Sequence, residues 1–520
     1  MTTPPLTARA ALCILCLVGG WPLAASALTL QRILVSGNSA LPANAVEAVT
    51  ADFLNRPLKD ADLQDLRKRL EALYADAGFR TTRVTFPDQT LAGGELQVAV
   101  IETSIEDVIV QGTQRLDPAF LARRIAQGVG KPMDVRRLDD NLRLLKLEQL
   151  VDSVKAEFRP GSAPDRQVLV VTVEEAPSFS LGFRVGNDRS PIVGSYAGVL
   201  DGAVRNLIGR GDELGVSYGT ADGLESIDLR FRAPLNSLGT ELAGRYMDYE
   251  SSLVEEQYAV LGASTEMRGA EAGLTQSLWR SVNRQISVGG RYTQRWSESF
   301  LQGVPFSFSP EADKGRVRVE AARFHAQWLE RGTRDVFSLR YQLSAGLGGT
   351  EHAAPVPDAY FTASLVQAQW LHVFGPRAGQ LFVRGDFQFA SEPLVSMEKF
   401  SLGGLGSVRG YRRSLEVSDN GWSTSIEYRY PLLRLALPGA AESDGQLWAL
   451  AFVDAGRGWN NVGADEPLLL AAGPGARWDA TSKIRAELYW GGLRRRLSGQ
   501  PNDDLQDDGL HFMVSARVGF

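Results

Sequence analysis

The stretch GVSYG at 215–219 sets Ser217 between two glycines, the G-x-S-x-G spacing that presents a nucleophilic serine in α/β-hydrolases. That chemistry needs a sharp strand-to-helix turn. Here the surrounding DELGVSYGTAD alternates polar and apolar residues, so Ser217 is expected at an ordinary position of a strand. The four histidines, His325, His352, His372 and His511, are scattered without ligand spacing, and no metal site is expected. Arg210-Gly211-Asp212 sits inside NLIGRGDEL, which reads as a tight turn. More can be made of two other stretches. GGLGSVRGYRR at 403–413 sets Arg409 in a glycine-dense segment, and FVDAG at 452–456 puts Phe452 and Asp454 on one face at period two. An aspartate facing a partly dehydrated interior needs a cationic partner, and a guanidinium fork matches a carboxylate. Glycines let a loop backbone approach a wall closely. The chemistry on offer is charge recognition and not bond cleavage.

The elements that would hold these groups begin with composition. The chain has 520 residues, 44% hydrophobic and 22% charged, enough for two or three domains and too apolar for disorder. A net charge of -6 and a pI near 5.6 give no phosphate-binding surface, so no nucleic acid partner is expected, and no cofactor motif is visible. Residues 1–27 read as an export signal: Arg9, the apolar run ALCILCLVGG, then Ala25-Ser26-Ala27 as a cleavage site before Leu28. Cys13 and Cys16 both lie within it, so the mature chain is expected to carry no thiol.

Residues 28–102 follow the order β-α-α-β-β. Leu63, Leu66, Leu70, Leu73 and Ala77 recur at helical spacing, Gly78 ends that helix, and TTRVTF and LQVAVI supply strands. The order repeats over 103–177: IEDVIVQGTQRLDP matches LQRILVSGNSALP, Gly112 falls 75 residues after Gly37, and QVLVVTVEEAP closes the copy. Two small α+β domains in tandem are expected. From 178 to 520 no run of eighteen apolar residues appears, yet LHFMVSARVGF, WSTSIEYRY, FSLRYQLSA and IDLRFRA alternate strictly. Alternation alone also fits a soluble sandwich. Connection lengths decide better: SVNR, LERGTRD and GPRAG are short, whereas 250–265, 297–314, 392–420 and 493–508 are long. Short turns at one end and long loops at the other predict a closed transmembrane antiparallel β-barrel of about sixteen strands, closed because an open edge in lipid leaves amides unsatisfied. Residues 254–264 are read as loop, with a strand as the alternative.

On these residues a family resemblance rests. The paired domains, with VTFPDQTLAGGELQVAVIE in the first, resemble POTRA domains, and Val408-Arg409-Gly410-Tyr411 followed by SDNGW resembles the signature loop of two-partner secretion (TpsB) transporters. FVDAG, with Phe452, Asp454 and Gly456, resembles that family's barrel-wall motif, and Phe520 its terminal assembly signal. The chain is thereby similar to ShlB/FhaC/HecB-type haemolysin secretion/activation proteins of the POTRA-plus-barrel superfamily. The resemblance implies that the loop folds into the lumen and that Arg409 meets Asp454. It also implies a place in the bacterial outer membrane, POTRA domains in the periplasm, and no enzymatic activity. The implied partners are a secreted haemolysin- or adhesin-like exoprotein in extended form, outer-membrane lipid and the barrel assembly machinery. Many such transporters carry an N-terminal plug helix; the first POTRA strand here starts within a few residues of the expected cleavage site, so the loop alone is expected to close the pore. An assembly factor that inserts other barrels is the alternative reading, favoured by NLIGRGDEL and disfavoured by two POTRA domains and the DNG segment. Whether the arginine pair only stabilises the resting barrel or also locks a moving loop stays open at this point, and the two are compatible.

Overall fold

A computed structural model describes residues 28–520 apart from 91–92, 353–355, 376–377, 440, 442–443, 464–466 and 493–503. The expected export signal, with Cys13 and Cys16, lies outside the described residues. Residues up to 104 together with 131–135 form one compact unit, and 105–130 with 136–520 form the other.

In the first unit Glu95–Ile101 is the central strand, parallel to Arg32–Ser36 and antiparallel to Arg83–Thr85. Leu96, Val98 and Val100 alternate inward onto the helix Asp60–Asp76, which buries Leu66, Leu70 and Tyr74. Tyr74 extends the stripe where Ala77 was expected, because Ala77 already caps the helix and the Tyr74 hydroxyl reaches Asn38 Oδ1 at 2.5 Å. The repeat holds atom by atom. Gly37 and Gly112 both adopt positive φ, 82° and 87°, and a Cβ on either would fall 2.2 or 2.3 Å from a strand carbonyl, that of Val100 or Val173. An acid at or just past the end of the last strand then caps the turn: Glu102 accepts from the Ser39 and Ala40 amides, and Glu175 from those of Gln114, Arg115 and Leu116.

In the second unit the strand Ser104–Gln111 and the helix Val135–Leu147, apart from their first residues Ser104 and Val135, join the helix Pro118–Ala126 and the strands Val151–Pro160 and Arg166–Glu175 in a second small α+β domain. The barrel follows, with strands β1 (Phe179–Gly186), β2 (Ala197–Arg205), β3 (Glu213–Ala221), β4 (Leu224–Pro234), β5 (Thr240–Ser252), β6 (Ala263–Arg280), β7 (Arg284–Leu301) and β8 (Arg316–Arg331). The other eight are β9 (Asp335–Gly349), β10 (Thr362–Val373), β11 (Gln380–Ala390), β12 (Asn420–Arg434), β13 (Gln446–Trp459), β14 (Leu469–Asp479), β15 (Ile484–Trp490) and β16 (Leu510–Gly519). Each pairs antiparallel with its neighbour, and β16 closes on β1 from Met513↔Gly186 to Gly519↔Ser180. The closed sixteen-stranded barrel is therefore as expected. Among the described residues no helix is long and apolar enough to cross a membrane, which says nothing of a barrel that crosses with strands. Val453, Ile426 and Val514 point out and are half exposed, while Asp454, Glu427 and His511 point in and are buried.

The loops depart from expectation in places. β6 and β7 run for 18 residues each, so 297–301 is strand and only 302–315 connects β7 to β8. Such strands are roughly 60 Å long, well beyond the apolar thickness of a bilayer even when tilted. Residues 254–264 hold the helical turn Glu256–Ala259 before β6 resumes at Ala263, so the strand alternative fails. The RGD turn has a second use. Asp212 accepts from the Leu207 and Ile208 amides, and Gly209 lends its carbonyl to Asp117 N–H at 2.7 Å, tying the turn to the second small domain. Arg280, at the end of β6, adds a bond to Glu148 at 2.8 Å, and Arg124 pairs with the same carboxylate.

Candidate functional site

The segment 391–419 joins β11 to β12 and is the longest such link. It opens with a helical turn at Ser396–Glu398, then a short hairpin, Phe400–Leu402 against Glu416–Ser418, carries the tip. The hairpin shortens the effective loop, which lowers the entropy cost of holding the tip in one place. Its base is fixed by the SDNGW residues: Asp419 accepts from the Leu394 and Asn461 amides, and Asn420 from that of Ala390.

The tip lies against the inner wall. Arg409 is 5% exposed and Asp454 fully buried. Its Nε and Nη2 donate to the two oxygens of Asp454 at 2.7 and 2.8 Å, and its backbone N–H adds a third bond to Asp454 at 2.9 Å. Nη2 also donates to Ser425 Oγ at 2.8 Å, and Nη1 to Glu427. The guanidinium lies 3.8 Å from the ring centre of Phe452 and 4.8 Å from that of Tyr489. Two buried carboxylates thus share one arginine, with Arg429 on the other oxygen of Glu427 at 2.6 Å. Lysine offers no planar fork for this arrangement.

The neighbours of Arg409 fit the loop to the wall by shape. Val408 is buried with Leu402, Tyr411, Leu469 and Ala471. Gly456 leaves room for it, since a Cβ there would meet Leu402 at 2.9 Å and Val408 at 3.1 Å. Gly410, at φ 89°, lies so close to Gly491 that a Cβ would sit 3.0 Å from the latter's Cα, and its N–H donates to His511 at 3.2 Å. The Tyr411 hydroxyl donates to the Leu470 carbonyl at 3.2 Å. Phe520 lies apart from this site, exposed at the seam with its ring stacked 6.2 Å from Phe179. Ser217 is on β3 with no following helix; its hydroxyl donates to Asp201 and accepts from Arg230 at 2.7 Å.

Several members were not foreseen. Ser425 and Glu427 are polar positions of the alternating WSTSIEYRY, and alternation alone gives them no partner. Arg412 is buried and pairs with Glu255 at 2.7 Å and with Asp507, so two acids from other loops complete the seat. At the other end of the loop Glu398 binds Arg323 Nη2 at 2.7 Å and Arg295 Nη1 at 3.3 Å, while Arg323 is itself held by Thr293 and Ser344. The loop's charge contacts with the wall thus have opposite polarity at its two ends, a cation on acids at the tip and an acid on cations at the start.

Residues 165–478 match the family described as haemolysin secretion/activation protein ShlB/FhaC/HecB, and 28–103 match the ShlB-type POTRA domain. The chain belongs to this family. Its members are outer-membrane transporters and not enzymes. The outer membrane transporter CdiB of Dickeya dadantii is 24% identical over 443 residues, 81% of this chain and 76% of that protein. The hemolysin transporter protein ShlB of Serratia marcescens is 23% identical, covering 77% and 72%. The solved structure of CdiB from Escherichia coli shares the fold, with a TM-score of 0.71 at 19% identity over 96% of this chain and 93% of that one. Within this family of transporters the present chain carries its loop arginine on two wall acids.

Proposed function

We propose that this chain captures an unfolded exoprotein with its N-terminal POTRA domains and passes it to the cell surface through the barrel, as the transporter half of a two-partner system. The observation that carries the reading is Arg409 seated on Asp454 and Glu427 inside a closed barrel, because a loop so held lies within the lumen through which a client would pass. An extended client is suited to the POTRA sheets, whose edges offer backbone groups for strand addition. Its folding outside supplies the direction of transport in a compartment without ATP. Val408 to Tyr411 act as the closing element, Phe452, Asp454 and Gly456 as its seat, and Phe520 as the signal read by the barrel assembly machinery.

The test is genetic and electrical. Removing this chain should leave the product of the adjacent exoprotein gene in the periplasm, and restoring it should return that product to the surface. The purified barrel should conduct rarely in planar bilayers. Surface delivery without the chain, or a general loss of other outer-membrane barrels in its absence, would reject the reading, the second in favour of an assembly factor. A large pore that stays open would reject closure by the loop.

A further inference from the structure

The mouth of the barrel beside the second small domain holds a cavity of about 670 Å³, walled by β3 to β9 and by Arg124 and Glu148. Eight arginines line it against four glutamates, with no lysine or aspartate. An adjoining cavity of about 660 Å³ shares Glu213 and Arg230 with the first and has five basic to three acidic residues. The chain as a whole carries -6, so the sign inside this mouth is opposite to that of the molecule.

The glutamates do not cancel the excess. Each is already held by one or two arginines. Among the described residues Arg210 and Arg340 line the cavity without an ion pair; Arg340 makes only a 3.4 Å contact to Gln342 in the next inward position of β9. A cleft of one sign between low-dielectric walls focuses its field and raises the local concentration of the opposite charge. Guanidinium forks in particular suit carboxylates, and they hold them loosely enough to release when no single pair is buried.

We infer that this vestibule is a docking surface for acidic stretches of an extended polypeptide, which it draws into the barrel ahead of neutral or basic ones. The inference rests on the proposed transport role and names the client chemistry that role favours. Side chains that are carboxylates, not phosphate-bearing groups, are the committed partner, because the expected client is a polypeptide chain.

The experiment uses the full chain in a non-ionic detergent and three peptides of equal length carrying a neutral dye: Glu/Ser, Lys/Ser and Gly/Ser. Fluorescence anisotropy should show the Glu/Ser peptide binding about tenfold or more tightly than either of the others at low salt, and losing that advantage at high salt. Arg210→Gln with Arg340→Gln should weaken it several-fold, whereas Arg32→Gln on the first domain should not. Heat-modifiable migration confirms that each variant barrel is folded. A variant that does not fold is replaced by the reversal potential of the unaltered protein under a KCl gradient, which should be anion-selective. Equal binding of the basic peptide, an unaltered affinity in the folded double variant, or cation selectivity overturns the inference. Failure of secretion with acidic-peptide binding intact would reject the transport reading and leave the vestibule standing.

Discussion

Truncating Arg409 to alanine removes the guanidinium that meets Asp454 and Glu427 while leaving Arg412 in place and the backbone amide that also binds Asp454. Asp454 then loses two of its three bonds from residue 409, and Glu427 keeps only Arg429. Removing one member of a buried ion pair costs about 3–5 kcal/mol. The surviving amide and Arg429 set the expectation at the lower end, about 3 kcal/mol, which raises the unseated fraction about a hundredfold. Arg409→Lys keeps a charge and loses the fork, so a smaller shift of about 1.5 kcal/mol, roughly tenfold, is expected. The assay exploits the cysteine-free stretch from 28 onward: Val408→Cys places one buried thiol at the tip. Its reaction rate with a membrane-impermeant maleimide reports the unseated fraction when opening is fast relative to labelling. Rates should rank alanine above lysine above arginine at position 409. Equal rates in all three, in barrels that migrate as folded, would refute the view that the guanidinium holds the loop.

Glu398→Gln should loosen the start of the loop, raising the frequency of brief openings in planar bilayers while Val408→Cys labelling changes little, since Glu398 holds a separate contact with Arg323 and Arg295. Gly410→Ala puts a Cβ 3.0 Å from Gly491 at a left-handed backbone position and should unseat the tip by about 1–3 kcal/mol, read by the same labelling. Leu70→Ala empties a fully buried position of the first POTRA domain and should cost it about 2–5 kcal/mol, seen as faster amide exchange across 28–104 in the intact protein. Glu106, on the second domain, has its carboxyl held below the ordinary glutamate value by the bond from the Ser162 amide. Its stabilising effect is present above that ordinary value and lost as pH falls through the lowered one, so Glu106→Gln should flatten the acid-side rise in exchange over 104–175.

The repeat and the barrel were legible because each writes a period into the chain. Gly37 and Gly112 mark the same turn 75 residues apart, and the polar face Ser423, Ser425, Glu427 and Arg429 is the inward face of β12. The pairing of Arg409 with Asp454 came from resemblance and was compatible with the residues. The role of Glu427 was not legible. Period two assigns a residue to a face and says nothing of its height relative to the next strand. Only the β12–β13 register, which sets Ser425 opposite Asp454 and Glu427 opposite Phe452, brings both acids under one guanidinium. The ends of β6 and β7 were lost for a different reason: a strand of 18 residues is longer than a bilayer's apolar core needs, so no apolar face is required along its whole length, and SESFL at 297–301 does not alternate strictly.

The vestibule charge shows the same limit on a larger scale. Arg210 and Arg340 are 130 residues apart, and nothing in either neighbourhood marks them as companions. They line one space because the RGD turn and the inward face of β9 meet at the mouth of the closed barrel. Closure therefore does two things at once: it hides every strand edge from lipid, and it sums the inward charges of distant strands into one field. A net-charge count over the chain gives the wrong sign for that field. The residues that line the two cavities, brought together by the fold, give the sign that an approaching client meets.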